Sequence, residues 1–262
     1  MIFNNGNVNL SYDVAGDGEC VFFIAGTASD RSMWGGVRQA LSGKYKTVAF
    51  DNRDSGESTI CSQPYTMLDL AKDALSVMDA EGLQKAHVVG HSLGGMIAQE
   101  LAILAPDRIS TLSLVNTASG IDNYMRSVIE LARDWSKTIT DQRLLNRSLY
   151  FLSLGSKALD SDLFNQIVDF TSGSQSQPRE ALIRQWEVDL TIDTTERLSL
   201  IKAKTHVIWA SEDKIVPKSQ QQILVNGISG AKFTCIEESG HCPMIEVPEE
   251  FIRVLSGFID KS

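Results

Sequence analysis

An alternation restricts the possible folds most: short apolar runs separated by stretches of helical periodicity. Cys20-Val21-Phe22-Phe23-Ile24 is apolar throughout, the mark of a strand buried on both faces, and Thr47-Val48-Ala49-Phe50 is a second such run. Further strands are expected at 86–90, 109–115, 205–210 and 231–236, after two short ones at 2–4 and 8–14 joined through Asn5-Gly6. Between them, helices are predicted over about 32–42, 94–105, 217–227 and 248–259. Another follows Thr66, where Asp69 completes a capping box and Met67, Ala71, Ala74 and Met78 repeat at helical spacing. Strands and helices in this rhythm are joined by right-handed crossovers. The predicted fold class is therefore α/β, a mainly parallel central sheet flanked by helices. Ligands of such sheets bind beyond the carboxyl ends of the strands.

The rhythm breaks between Ile121 and Leu198. Four helical patterns replace it, at 122–137, 141–153, 159–171 and 178–190, with the polar stretch 172–177 before the last and Pro178 suited to a first helical turn. The expected organisation is a core made of residues 1–120 and 199–262, with an all-helical cap at 121–198 over the strand ends. The substrate pocket then lies between cap and sheet. Trp135, Phe151, Phe164 and Trp186 are its candidate lining, although aromatic residues at helical spacing also serve as simple packing.

Ser92 stands at one such strand end, inside Gly90-His91-Ser92-Leu93-Gly94, where an apolar run turns sharply into a helix-forming stretch. Glycines on either side let strand and helix pack closely, and the serine sits at a helix N-terminus that favours developing negative charge. A serine hydroxyl is a poor nucleophile at neutral pH and needs a base, which histidine supplies. A carboxylate on the far ring nitrogen then fixes the tautomer and stabilises the imidazolium. Asp213 and His241, each in a loop after a strand, offer those two groups, with Glu212 as the rival acid. His87 and His206 fall within or beside strands and read as structural. His87 and His91 are about 13 Å apart along an extended strand, too far to share a metal, so no metal is expected.

Ser92, Asp213 and His241 in that chain order resemble the α/β-hydrolase superfamily, and the likeness covers nearly the whole chain. Its pieces are Gly90–Gly95, Glu212-Asp213-x-x-Val216-Pro217, and Ser239-Gly240-His241 with Pro243 and Pro248-Glu249. The resemblance implies Ser92 as nucleophile, His241 as general base and acid, and Asp213 as its orienting carboxylate. The other position where relatives carry the acid, after strand 109–115, starts Asn116-Thr117-Ala118 and has no carboxylate before Asp122. The oxyanion donors it implies are the backbone N–H groups of Leu93 and Thr27, the latter in an Ala25-Gly26-Thr27 loop where relatives have His-Gly-x. Asp54 replaces a usual glycine of the loop 51–58, as in relatives similar to aclacinomycin methylesterase, and Asp51 and Arg53 read as loop-holding residues. Gly95-Met96-Ile97-Ala98-Gln99-Glu100 looks like the enol-lactonase and carboxylesterase branch.

The activity implied is hydrolysis of a small carboxylic ester or lactone through an acyl-enzyme, with no cofactor. The same triad could instead cleave a carbon–carbon bond in a diketone-like compound, or survive in a ligand-sensing regulator. Dehalogenase and epoxide-hydrolase chemistry use an aspartate nucleophile, and position 92 is serine. A net charge of −9 argues against nucleic acid or an anionic membrane as main partner. Without a signal-like start or a run of about 20 apolar residues, a cytoplasmic monomer or homodimer is expected, its four scattered cysteines reduced.

Overall fold

The computed structural model describes residues 1–173 and 177–261, so the middle of the polar stretch 172–177 lies outside the described residues. In chain order the strands are β1 (Ile2–Asn4), β2 (Asn9–Ala15), β3 (Cys20–Ile24), β4 (Lys46–Phe50), β5 (Ala86–His91), β6 (Ile109–Val115), β7 (Lys204–Ala210) and β8 (Lys232–Ile236). They form one sheet in the order β1-β2-β4-β3-β5-β6-β7-β8. The β1–β2 and β2–β4 pairs are antiparallel, and every later pair is parallel. An α/β fold with a mainly parallel sheet is what the alternation of patterns implied.

Helices α1 (Gly35–Leu41), α2 (Met67–Ala80), α3 (Leu93–Leu104) and α9 (Lys218–Gly227) lie between strands, and α10 (Pro243–Glu246) and α11 (Pro248–Ile259) follow β8. The helix expected over 32–42 is divided: a 3-10 turn at Arg31–Trp34 precedes α1. At α2 the capping box is complete, Thr66 Oγ1 accepting from the Asp69 N–H and Asp69 Oδ2 from the Thr66 N–H. Such a cap contributes about 1 kcal/mol.

The apolar runs are buried because successive side chains feed two different layers. Cys20, Phe22 and Ile24 of β3 join the core on one side of the sheet, together with residues of α2 and α3. Val21 and Phe23 join the core on the other side, with α1 and α11. Val48 and Phe50 against Ala49, and Val88 against Val89, divide in the same way. Trp34, fully buried, packs on Phe23 and Phe251 with ring centroids 5.0 and 6.2 Å away. Burial of each large side chain is worth roughly 1.5–3 kcal/mol, so neither face of the central strands tolerates a polar residue cheaply.

Between β6 and β7 the chain forms α4 (Asn123–Thr138), α5 (Gln142–Ser153), α6 (Ser156–Leu159), α7 (Asp162–Thr171) and α8 (Arg179–Asp189). The helix expected over 159–171 starts at Asp162 instead: Ser161 caps α7, its hydroxyl accepting from the Leu163 N–H, and the one-turn α6 before it is unexpected. A single antiparallel bridge, Gly120 to Asp193, ties the two ends of this insertion together. Among the described residues no helix is long and apolar enough to cross a membrane.

Candidate active site

β3, β4 and β5 are neighbours, so their carboxyl ends deliver three loops to one place. Ser92 alone makes the turn from β5 into α3, at φ 54 and ψ −120, where side-chain-bearing residues are strained. The close packing around the turn needs Gly90 and Gly94, two residues to either side: a Cβ on Gly94 would sit 2.2 Å from the Ile24 carbonyl oxygen. Its geometry is fastened from β6. The Ser92 N–H donates to the Val115 carbonyl (3.0 Å), and the Thr117 hydroxyl donates to the Ser92 carbonyl (2.7 Å).

His241, in the loop after β8, is held at both ends. Its Nδ1 bonds Asp213 Oδ2 at 2.8 Å, while Asp213 Oδ1 accepts from the N–H groups of Ile215 (2.8 Å) and Val216 (3.0 Å). With Nδ1–H donating to the carboxylate, Nε2 is left as the proton acceptor. The His241 N–H donates to the Ser153 carbonyl (2.6 Å), which joins this loop to α5 of the insertion. That approach needs Gly240, where a Cβ would lie 2.4 Å from the Gly155 nitrogen. Glu212 faces elsewhere: its carboxylate accepts from the backbone N–H and hydroxyl of Ser156 at the start of α6.

Two residues that the sequence reading passed over complete the support. His91 Nε2 donates to the His241 carbonyl at 2.7 Å, and the two rings lie 4.6 Å apart. Burial first, then the neighbouring His241, holds the His91 pKa well below its usual value, so this ring stays neutral. Asn116 Nδ2 donates to the same carbonyl (2.9 Å), while its Oδ1 accepts from the Ala210 N–H (2.9 Å). The remaining histidines are tied down within the sheet, His87 to Thr111 (2.9 Å) and His206 to Thr234 (2.8 Å).

Ser92 and His241 line one pocket, with Thr27 and Ala28 on one side and α5 and α8 above. The space between its atoms, open mouth included, is roughly 880 Å³. Among the described residues Ser92 Oγ makes no hydrogen bond to His241, whose side-chain bond is to Asp213. The backbone N–H groups of Thr27 and Leu93 make no hydrogen bond among the described residues, and Leu93, first in α3, has no intrahelical acceptor.

The loop carrying Thr27 is gripped from α8. The Thr27 hydroxyl donates to Asp189 Oδ2 at 2.6 Å, and the Ala28 N–H to Gln185 Oε1 at 3.2 Å. Gln185 also donates to the Ser55 hydroxyl (2.8 Å), and Arg184 binds Asp54 through both carboxylate oxygens at 2.8 and 2.9 Å. The departure from glycine at position 54 therefore has a structural partner. Asp54 does sit in the left-handed region, φ 68. Arg53 pairs with Asp73, and Asp51 accepts from the Arg31 and Glu57 backbone N–H groups, both acting to hold loops.

Of the four aromatic residues expected to line the pocket, only Trp186 does so. Phe151 is 60% exposed on the outer face of α5, with Lys214 Nζ 5.4 Å from its ring centre. Phe164 is buried in the core layer shared with α1 and α11, and Trp135 packs against the opposite core layer. Helical spacing marks which side of a helix turns inward; it does not separate a pocket wall from a packed contact.

The model of the alpha/beta hydrolase fold family matches residues 20–248, nearly all of the region just described. The chain belongs to that family. Among its relatives is RutD of Azorhizobium caulinodans, which carries the name of a carbamate hydrolase; it is 27% identical, covering 97% of this chain and 96% of its own. The pyrrolizixenacetamide deacetylase of Xenorhabdus hominickii is 28% identical, covering 97% and 96%. In structure, the enol-lactonase of Burkholderia xenovorans LB400 is similar over 99% of this chain and all of its own, with a TM-score of 0.89 at 22% identity. Relatives named for three different acyl bonds share the family's hydrolytic chemistry while differing in what they cleave.

Proposed function

We propose that the protein is a serine hydrolase that cleaves a small carboxylic ester or lactone through an acyl-enzyme on Ser92. Residues 121–198 are read as the cap that closes the pocket over that serine. One observation carries the reading: His241 is pinned between Asp213 and three backbone contacts, with its free ring nitrogen in the pocket that Ser92 lines on a strained turn.

In the reaction so read, Ser92 Oγ attacks the ester carbonyl carbon as His241 Nε2 takes the hydroxyl proton. The oxyanion is received by the N–H groups of Leu93 and Thr27, the former at the positive end of α3. Asp213 stabilises the imidazolium, which returns its proton to the leaving alkoxide as the ester bond breaks. A water, deprotonated by His241, then attacks the acyl-enzyme, releasing the acid and restoring Ser92. A lactone follows the same path and yields one ring-opened hydroxy acid.

The test is turnover of 4-nitrophenyl acetate by purified protein. Activity lost in Ser92→Ala, His241→Ala and Asp213→Asn, but kept within a few-fold in Glu212→Gln, is the expected result. Full activity in Ser92→Ala, or a dead Glu212→Gln beside an active Asp213→Asn, would remove the mechanism. Including an acetanilide and a diketone in the panel separates ester cleavage from acyl–nitrogen and carbon–carbon cleavage by the same residues.

A further inference from the structure

The pocket has no charge to offer a substrate beyond the reacting histidine. Among the described residues that line it there is no Lys, Arg, Asp or Glu, and its second histidine, His91, is kept neutral by burial. Its walls are of two kinds. Leu149, Leu152, Leu182, Trp186 and Ile215 are apolar, whereas Gln142, Asn146, Tyr150 and Thr171 bring neutral hydrogen-bonding groups from α5 and the end of α7.

The polar group is a connected network. Gln142 Nε2 donates to Asn146 Oδ1 at 2.8 Å, and Asn146 Nδ2 reaches Thr171 Oγ1 and Ser172 Oγ at 3.2 and 3.3 Å. Asn146 is only 9% exposed, so its amide depends on these partners, and the Nδ2 bonds are at the long end of the normal range. Gln142, Asn146 and Tyr150 are four residues apart in sequence and so share one face of α5. Burial raises the pKa of Tyr150 to about 12, so its phenol keeps its proton.

The C-terminal end of α5 is fixed at His241, whose N–H donates to the Ser153 carbonyl, and Asn146 lies about two turns back along the helix at ~1.5 Å per residue.

We infer that this α5 face is a subsite for an uncharged hydrogen-bonding group, a hydroxyl or amide, carried by the substrate in the same pocket as the carbonyl that Ser92 attacks. The inference rests on the hydrolase reading above and narrows its substrate class. Donor and acceptor capacity remains: Gln142 keeps one Nε2 hydrogen and its Oε1, and Asn146 Oδ1 a second lone pair, so a neutral amide or alcohol can exchange its water contacts for protein ones. A carboxylate tail would be stripped of water with no cation to meet it, on a protein of net charge −9.

The experiment compares 4-nitrophenyl esters whose acyl chains, matched in a series of lengths, end in methyl, primary amide, hydroxyl or carboxylate. Acetate esters carrying the same tails on the alcohol side form a second set. In wild type the carboxylate tail should have kcat/KM at least about tenfold below that of the amide tail in the preferred set. Asn146→Leu should lower the ratio of amide-tail to methyl-tail kcat/KM by roughly fivefold, the scale of one lost neutral hydrogen bond. A residue that merely stitches α5 to α7 would lower both substrates together and leave that ratio unmoved. Gln142→Met, at the half-buried end of the network, is the second variant if Asn146→Leu folds poorly, with the same shift expected. An unchanged ratio in both variants, or a preference for the carboxylate tail, overturns the subsite alone. Failure of wild type to hydrolyse 4-nitrophenyl acetate, or turnover that survives in Ser92→Ala, overturns the hydrolase reading and the subsite with it.

Discussion

Asp189 is a carboxyl group enclosed where α8 meets the Thr27 loop, and its ionisation should be visible as a pH-dependent loss of stability. Oδ2 accepts from the Thr27 hydroxyl, while Oδ1 has no hydrogen-bond partner among the described residues. Burial is the largest influence and pushes its pKa up from 3.8 to about 7, against smaller opposing effects of the Thr27 bond and of His241. The folded protein therefore holds this proton more tightly than the unfolded chain does. Stability falls as pH rises from about 4 and stops falling above about 7. A shift of about three pKa units at ~1.36 kcal/mol each corresponds to roughly 4 kcal/mol at mildly alkaline pH.

Asp189→Asn removes the titration but keeps an oxygen to accept from Thr27. At about pH 5 the variant and wild type should melt within a degree or two of each other. At about pH 8.5 the variant should be the more stable by a few kcal/mol, equivalent to a Tm higher by several degrees at ~2–4 °C per kcal/mol for a domain of this size. All other titrating groups are common to both proteins, so the difference between the two pH values isolates position 189. Thermal melts followed by circular dichroism suffice. An equal Tm difference at both pH values, or a wild type that gains on the variant as pH rises, would refute the argument.

Ser92→Gly should be inactive and more stable than Ser92→Ala by about 1 kcal/mol in denaturant titration, because glycine alone adopts φ 54 without strain. Arg184→Ala should cost about 2–3 kcal/mol, since it leaves the fully buried Asp54 carboxylate without its bidentate partner. Adding Asp54→Gly should recover part of that loss, removing the stranded charge and suiting φ 68. Double-mutant-cycle additivity, rather than recovery, would show that the pair is not coupled.

The strands of the sheet were legible because burial on both faces leaves a signal in every residue: Cys20 to Ile24 has no polar position to mislead. The helical divisions were less legible where local hydrogen bonds compete with periodicity. The pattern expected over 159–171 overran the helix start: Ser161 turns its hydroxyl to the Leu163 N–H and α7 begins only at Asp162. Ser92, Asp213 and His241 could be picked out because each follows a strand, in a loop that the topology brings to one edge. The Glu212 and Asp213 choice needed backbone direction, which the structure supplies: one carboxylate faces His241 and the other the start of α6.

What periodicity could not separate was core from pocket within the insertion. Trp135, Phe151, Phe164 and Trp186 all sit on helices with one apolar side, yet they meet respectively a packed core layer, solvent, the opposite core layer and the pocket. The better signal was the reverse one, polar residues interrupting an apolar stripe. On α8, Gln185 and Asp189 lie a helical turn apart among buried Ala181, Leu182, Trp186 and Val188, and both grip the Thr27 loop. On α5, Asn146 is buried next to Leu145 and joins the neutral wall of the pocket. A buried amide or carboxyl on a short helix is costly unless something meets it, so such residues point to where the insertion touches the core loops or the substrate. By that criterion α8 supports the loop beside Ser92, and α5 forms a polar part of the pocket wall.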